Sequence, residues 1–172
     1  VYLVDFSESG VSILTPNRVV VTGIGIVSPV GLDRLRTWKS LLAGKSGVAP
    51  ITCFDPQGYQ TTIAAEVNGF DPEPVVGRKQ ARRMDRFVQL ASVATMEAVA
   101  HADVSVQPES AHRVSVMIAS GIGGVITLSD QVGVLNERGP GRVSPFLVPM
   151  MLPDMASGQV SMLLGAKGPN YS

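Results

Sequence analysis

A chain of 172 residues, 45% hydrophobic and 16% charged with 18 glycines and 12 prolines, buries one turn-rich core, which excludes a disordered chain. Fourteen basic and fourteen acidic residues cancel, so no global field draws nucleic acid or an anionic membrane. One cysteine, Cys53, excludes an internal disulfide framework and fits a reducing, cytosolic setting.

The opening stretch, VYLVDFSESGVSILTPN, lacks the basic start and long apolar core of a secretory signal. Residues 1–16 read as an N-terminal extension of uncertain structure, and the domain proper is expected over 17–172. RVVVTGIGIVSPVG (Arg18–Gly31) is a β-branched run ending in glycines, the pattern of a buried strand entering a loop. Thr22, Ser28 and Pro29 break it well short of a membrane span. DRLRTWKSLLAG sets Leu35, Trp38, Leu41 and Leu42 at helical spacing, with Gly44 as the stop. Lys45 to Gly58 is turn-rich, and TTIAAEV (Thr61–Val67) alternates weakly, as a strand does.

DPEPVVGRKQARRMDRF is a proline-punctuated approach to a charged helix, and DRFVQLASVATMEAVAHADV is the best helix in the chain, dense in alanine. HRVSVMIASGIGG reads as a second glycine-terminated strand. TLSDQVGVLNERG predicts a helix capped by Thr127 or Ser129 and stopped at Gly139. VPMMLPDMASGQVSMLLGAKG predicts one buried helix ended by Gly165. Strands alternate with helices throughout, which predicts an α/β class with a mixed, largely parallel sheet.

The motifs leave alternatives open. Gly23-x-Gly25 after a strand invites a dinucleotide reading, but position 28 is Ser where a third glycine is needed and Pro29 follows it; a tight turn that needs glycine explains the pair better. In Ser120–Gly124 (SGIGG), Ile122 stands alone among tiny residues, as a structural turn or as a movable gate. Arg78, Lys79, Arg82, Arg83 and Arg86 form the only charge cluster; Lys79, Arg82, Arg83 and Arg86 fall at i, i+3, i+4 and i+7, one stripe on a helix that is either a solvated face or the seat of an acidic partner. Cys53 has no histidine nearby and reads as inert; His101 and His112 read as surface or satisfied histidines. No HExxH, CxxC or GxSxG occurs, so metal and hydrolase readings lack support, and the sequon at Asn170–Ser172 carries no weight in a cytosolic chain.

Taken in order, RVVVTGIGIVSPVG, TWKSLLAGKSGV, FDP, GRKQARRMDRFVQLA, ASGIGG, SPFLVPMMLPDMASGQVS and GAKGPNYS resemble the β-ketoacyl synthases, most closely the elongating 3-oxoacyl-acyl-carrier-protein synthase II type. The resemblance implies a thiolase-like fold, in which two similar α/β halves form a homodimer, with this chain as most of the N-terminal half. It implies an acyltransferase of fatty-acid or polyketide synthesis that works in the cytoplasm. Such an enzyme takes an acyl chain from acyl carrier protein onto a cysteine, and two histidines then assist decarboxylation of the malonyl carrier protein whose carbanion attacks the thioester. A cysteine at a helix N-terminus suits that step, since the dipole favours thiolate and backbone N–H groups hold the oxyanion.

Residue by residue, Lys79, Arg82 and Arg83 match the basic patch that docks acidic acyl carrier protein, whether acyl- or malonyl-loaded. Ile122 matches the residue that gates the acyl pocket, and Leu147 and Val148 match further pocket positions. Family members often carry an aromatic residue where Leu147 stands, which leaves the pocket depth open. No catalytic residue is expected within the chain. The nucleophilic cysteine is expected about five residues past Ser172, and the histidine pair in a second half. Residue 1 is Val and the end falls on a glycine–proline turn, so a fragment is expected, inactive and poorly soluble alone. No cofactor, metal, nucleic acid or membrane is implied. Two rivals remain: a noncatalytic chain-length-factor subunit of the same fold, and a Rossmann oxidoreductase resting on Gly23-x-Gly25 alone.

Overall fold

The computed structural model describes residues 4–7, 10–13 and 19–172. In chain order the elements are strands β1 (Val4–Ser7) and β2 (Gly10–Ile13), helix α1 (Arg34–Leu42), strands β3 (Val48–Pro50) and β4 (Ile63–Ala65), and helices α2 (Glu73–Val76), α3 (Arg78–Ala81) and α4 (Arg86–Ala102). Strand β5 (Val116–Met117), helices α5 (Val125–Arg138), α6 (Leu147–Met151) and α7 (Met155–Leu164), and strand β6 (Asn170–Tyr171) complete it.

Helix α4 is the scaffold. Asp85 caps its start by accepting from the Phe87 N–H at 3.4 Å, and Asp103 ends it in the left-handed region at φ 53°. One face packs on α7 through Val88, Ser92, Ala156, Ser157 and Val160, all buried, while Val76, Ala81 and Met84 close the core from the side of α2 and α3. The small residues let the two helix backbones approach, so burial comes from fit as much as from bulk.

The run from Val19 to Gly25 corrects the expectation of a buried strand: it has no ladder partner among the described residues, and Val19 and Val21 are exposed. The first residue of the expected strand, Arg18, lies outside the described set, as does most of the 1–16 extension apart from the backbone of the antiparallel β1–β2 pair. What fixes the segment is α4. A Cβ on Gly23 would stand 2.1 Å from the Ala98 carbonyl oxygen, and one on Gly25 would stand 1.8 Å from that of Ala94. Gly23 and Gly25 therefore serve a close approach to the alanine face of a helix. Neither has the positive φ of a tight turn.

Three two-stranded ladders form: β1–β2 and β3–β4 antiparallel, β5–β6 parallel. Of the mixed, largely parallel sheet expected, the described residues show parallel pairing only at β5–β6, and the other two ladders are antiparallel. The Gly165–Ser172 stretch leads into β6. Gly165 caps α7 at φ 69°, the Lys167 and Gly168 N–H groups bond to the carbonyls of Ala111 and Val114, and Asn170–Tyr171 lies beside β5. The weak strand at Thr61–Val67 narrows to β4, paired with β3 inside the stretch read as turns.

Helix α1 forms as expected, capped by Asp33, which accepts from the Arg36 N–H at 2.7 Å. Its apolar spacing does not point to the core, however. Leu35, Trp38, Leu41 and Leu42 are exposed, and the buried residue is Thr37, whose hydroxyl bonds to the Gly31 carbonyl. The helix expected over Val148–Gly165 is two helices. Pro153 has no N–H to donate and its ring excludes a continuous turn, so α6 stops before it and α7 restarts at Met155.

Candidate functional site

Gly77, at φ 80°, ends α2 and begins α3, a turn only glycine makes without strain. Helix α3 is one turn long. Its continuation folds back, with the Arg83 N–H on the Gln80 carbonyl and the Met84 N–H on that of Ala81. Ala81 and Met84 are buried and pin the turn to the core, so the remaining side chains face outward. Arg78, Lys79, Arg82 and Arg83 line one cleft of about 520 Å³ and have it to themselves.

The predicted docking residues Lys79, Arg82 and Arg83 are thus neighbours, and Arg78 joins them. Arg86 does not. The stripe assumed one helix through 79–86, but Asp85 starts a new helix, and the Arg86 Nη2 donates to the Val67 carbonyl at 2.8 Å with its Cζ 4.6 Å from the Phe70 ring centroid. Among the described residues the cleft is poorly neutralised. Arg78 reaches Glu73 only at 4.0 Å in an exposed pair, and Lys79, Arg82 and Arg83 have no ion-pair partner. Such convergence of like charge carries a repulsion that an anionic surface relieves.

Arg83 also faces the other way. Its Cζ lies 4.8 Å from the centroid of Phe146, and both residues line a second, largely apolar cleft of about 320 Å³ with Gln80, Pro149, Gln159, Met162 and Leu163. Phe146 begins α6, on which Leu147 is half-buried and Val148 exposed. The turn before it is tied to α5 by a 2.6 Å hydrogen bond from the Ser144 N–H to Gln131.

The far end of α6 meets the glycine loop. The Gly124 N–H donates to the Met151 carbonyl at 2.9 Å, and a Cβ at Gly123 or Gly124 would collide with the carbonyl of Met151 or Met150. Ile122, 72% exposed, rides on this loop. The three predicted acyl-pocket residues therefore sit on two segments in direct contact, though none lines either of these clefts. Beyond the loop, α5 starts at Val125, ahead of both expected caps. Thr127 is not the cap. Its N–H is satisfied from outside by Asp85 Oδ2 at 2.9 Å.

Glu97, which sequence reasoning missed, and His101, read there as a surface or satisfied histidine and found here with a backbone partner, lie at i and i+4 on α4. The Glu97 carboxylate accepts from the Ile26 and Arg34 N–H groups, both at 2.9 Å, and His101 Nδ1 accepts from the Ile24 N–H at 3.0 Å. A lone carboxylate in an alanine-rich helix was the available signal. The Ile24 and Ile26 N–H groups are thereby committed to α4 and are not free to cradle a dinucleotide phosphate.

Cys53 has the wrong environment for a nucleophile. Glu66, accepting its hydrogen bond and adding a nearby negative charge, raises the thiol above its ordinary value. In return the thiol, then the Thr52 hydroxyl at 2.6 Å and the Thr52 N–H, hold the Glu66 carboxyl down at about 2. Among the described residues no cluster of three or more His, Cys, Asp or Glu side chains could hold a metal. No helix among them is long and apolar enough to cross a membrane.

The family model "Beta-ketoacyl synthase, N-terminal domain" matches residues 16–172. A 3-oxoacyl-[acyl-carrier-protein] synthase 2 of Staphylococcus aureus is 49% identical over 153 residues, which cover 89% of this chain and 37% of that protein. The chain thus spans well under half the length of this relative. Among solved structures, the ishigamide ketosynthase/chain length factor superposes with a TM-score of 0.76 at 24% identity, over 88% of this chain and 38% of that one. A type II polyketide synthase acyl carrier protein in complex with its ketosynthase matches with a TM-score of 0.69 at 21% identity, over 86% and 39%. These two likenesses establish the ketosynthase, thiolase-like fold.

Proposed function

The chain belongs to the β-ketoacyl synthase family, and on that premise we propose that it is the N-terminal part of a 3-oxoacyl-acyl-carrier-protein synthase. The whole enzyme elongates acyl chains by decarboxylative condensation with malonyl carrier protein, in the cytoplasm and as a homodimer. Its domain runs over 17–172, with 1–16 as an extension. The part described here contributes a docking surface for acidic carrier protein at Lys79, Arg82 and Arg83, and acyl-pocket residues Ile122, Leu147 and Val148.

The observation that carries this reading is the cluster of four exposed cations on α3 and the turn after it, shallow and barely neutralised. Carboxylates on a partner helix complement it, and Arg forks bind them bidentately. A solved relative is a ketosynthase in complex with an acyl carrier protein, which supports the choice of partner. Chemistry requires groups supplied elsewhere in the whole enzyme, since the environment of Cys53 disfavours thiolate. The 172-residue chain alone is therefore expected neither to condense acyl groups nor to become acylated. Incubation with acyl carrier protein, followed by mass spectrometry of the intact chain, tests this; a thioester on Cys53 would overturn it.

A further inference from the structure

Arg83 is the one residue that lines both the cationic cleft and the apolar cleft behind it. A guanidinium has two kinds of surface. Its face stacks on an aromatic ring, and its edge carries the N–H fork that binds carboxylates. Here the face is on Phe146, 4.8 Å from the ring centroid, while the residue still lines the cleft of Arg78, Lys79 and Arg82.

Phe146 is the residue from which α6 starts, and its carbonyl accepts from the Met150 N–H at 3.0 Å. Helix α6 is only five residues long. Its start is held by the Arg83 stack and by the Ser144 turn, and its end by the carbonyls of Met150 and Met151 against Gly123 and Gly124. A short helix held at both ends moves as a unit, so a displacement at Phe146 reaches the loop that carries Ile122.

We propose that Arg83 is a positioning residue as well as a docking one: its stack on Phe146 couples occupation of the cationic cleft to the stance of α6 and the Ile122 loop, and so to which acyl chains are elongated. This rests on the reading of the cleft as the carrier-protein dock and of Ile122, Leu147 and Val148 as pocket residues. An arriving carboxylate takes the edge of the guanidinium without displacing the ring from its face. Docking thus fixes the stack rather than breaking it. Lys79 and Arg82 have no such second contact and act on docking alone.

The test uses the whole enzyme and compares kcat/KM for a short and a long acyl carrier-protein primer. Arg82→Gln reports docking and should raise the KM for carrier protein about equally for both primers. Arg83→Gln and Phe146→Leu should each change the long-to-short ratio roughly 2- to 5-fold in the same direction, the scale of an exposed cation–π contact. The double variant should change it no further than either single one. Arg83→Lys, which keeps a cation over the ring, and Phe146→Tyr, which keeps the ring, should restore much of the ratio. The proposal is overturned if Arg83→Gln behaves as Arg82→Gln does, with the ratio constant, or if the two single effects multiply in the double variant. It is equally overturned if Phe146→Tyr changes the ratio as much as Phe146→Leu. Should Arg82→Gln leave the carrier-protein KM unchanged, the docking reading fails, while the ratios still decide the Arg83–Phe146 link.

Discussion

Asp85 Oδ2 accepts the Thr127 N–H at 2.9 Å across 42 residues of sequence, while Oδ1 of the same carboxylate caps α4. One buried side chain thus satisfies orphan donors at the start of two helices, α4 and α5, and sets their N-termini side by side. That shared cap joins the elements on either side of the candidate site: the cationic turn runs directly into Asp85, and the glycine loop runs directly into α5.

Replacing it should therefore cost more than an ordinary cap. Asp85→Ala removes a cap, worth about 1 kcal/mol, and leaves the buried Thr127 N–H unpaired, a further loss of roughly 1–3 kcal/mol. Chemical denaturation of the whole enzyme should show a loss larger than that of Asp33→Ala, the exposed cap of α1. Equal losses would mean that the second bond contributes nothing.

The glycines on α4 make a paired prediction. Gly25→Ala forces a methyl into the Ala94 carbonyl and should destabilise by about 1–3 kcal/mol as the segment lifts off the helix. Gly133→Ala, inside α5 with nothing within 4 Å of the new methyl, should stabilise by up to about 1 kcal/mol. Thermal melts of the two variants should move in opposite directions; a shift of the same sign would contradict the close-approach account.

Glu66 makes a pH prediction. Its folded value of about 2 lies below the ordinary 4.5, so its bonds to Thr52 and Cys53 contribute fully above 4.5 and are lost as pH falls through about 2. The side-chain carboxyl carbon of Glu66, followed by NMR, should titrate near 2 and not near 4.5. The same contact predicts that Glu66→Gln speeds alkylation of Cys53 at pH 8, because the thiol loses the carboxylate that raises it. An unchanged alkylation rate would remove that coupling.

How much of this was legible in the sequence depended on how local each cause is. Helix α4 was readable because its alanine density and its start at Asp85 lie within one segment. The end of the cationic stripe lay in the same residues. Asp85 before Arg86 is a cap signal, but the i, i+3, i+4, i+7 spacing of the basic residues suited one helix equally well, and the charge pattern prevailed over the cap. Pro153 likewise announced the α6–α7 break and was outweighed by the apolar run around it. Other features could not be read locally. Gly23 and Gly25 are two apart and Ala94, Ala98 and Ala102 are four apart, each pattern visible, but only the tertiary fold brings them together. Glu97 acts on N–H groups 71 and 63 residues away, and Asp85 on one 42 residues away. Of the site, the clustering of Arg78, Lys79, Arg82 and Arg83 was legible in the charge pattern and its docking role through family resemblance, while the Phe146 stack was not.

The most direct test of the docking account is the affinity of the whole enzyme for an acidic acyl carrier protein as a function of salt, for wild type and for Arg82→Glu with Arg83→Glu. The account predicts a loss on the order of tenfold or more at low salt and a flatter salt dependence, because two attractive charges at the rim of the cleft become repulsive. Unchanged affinity and an unchanged salt slope would contradict it and return the cationic cleft to a solvated face.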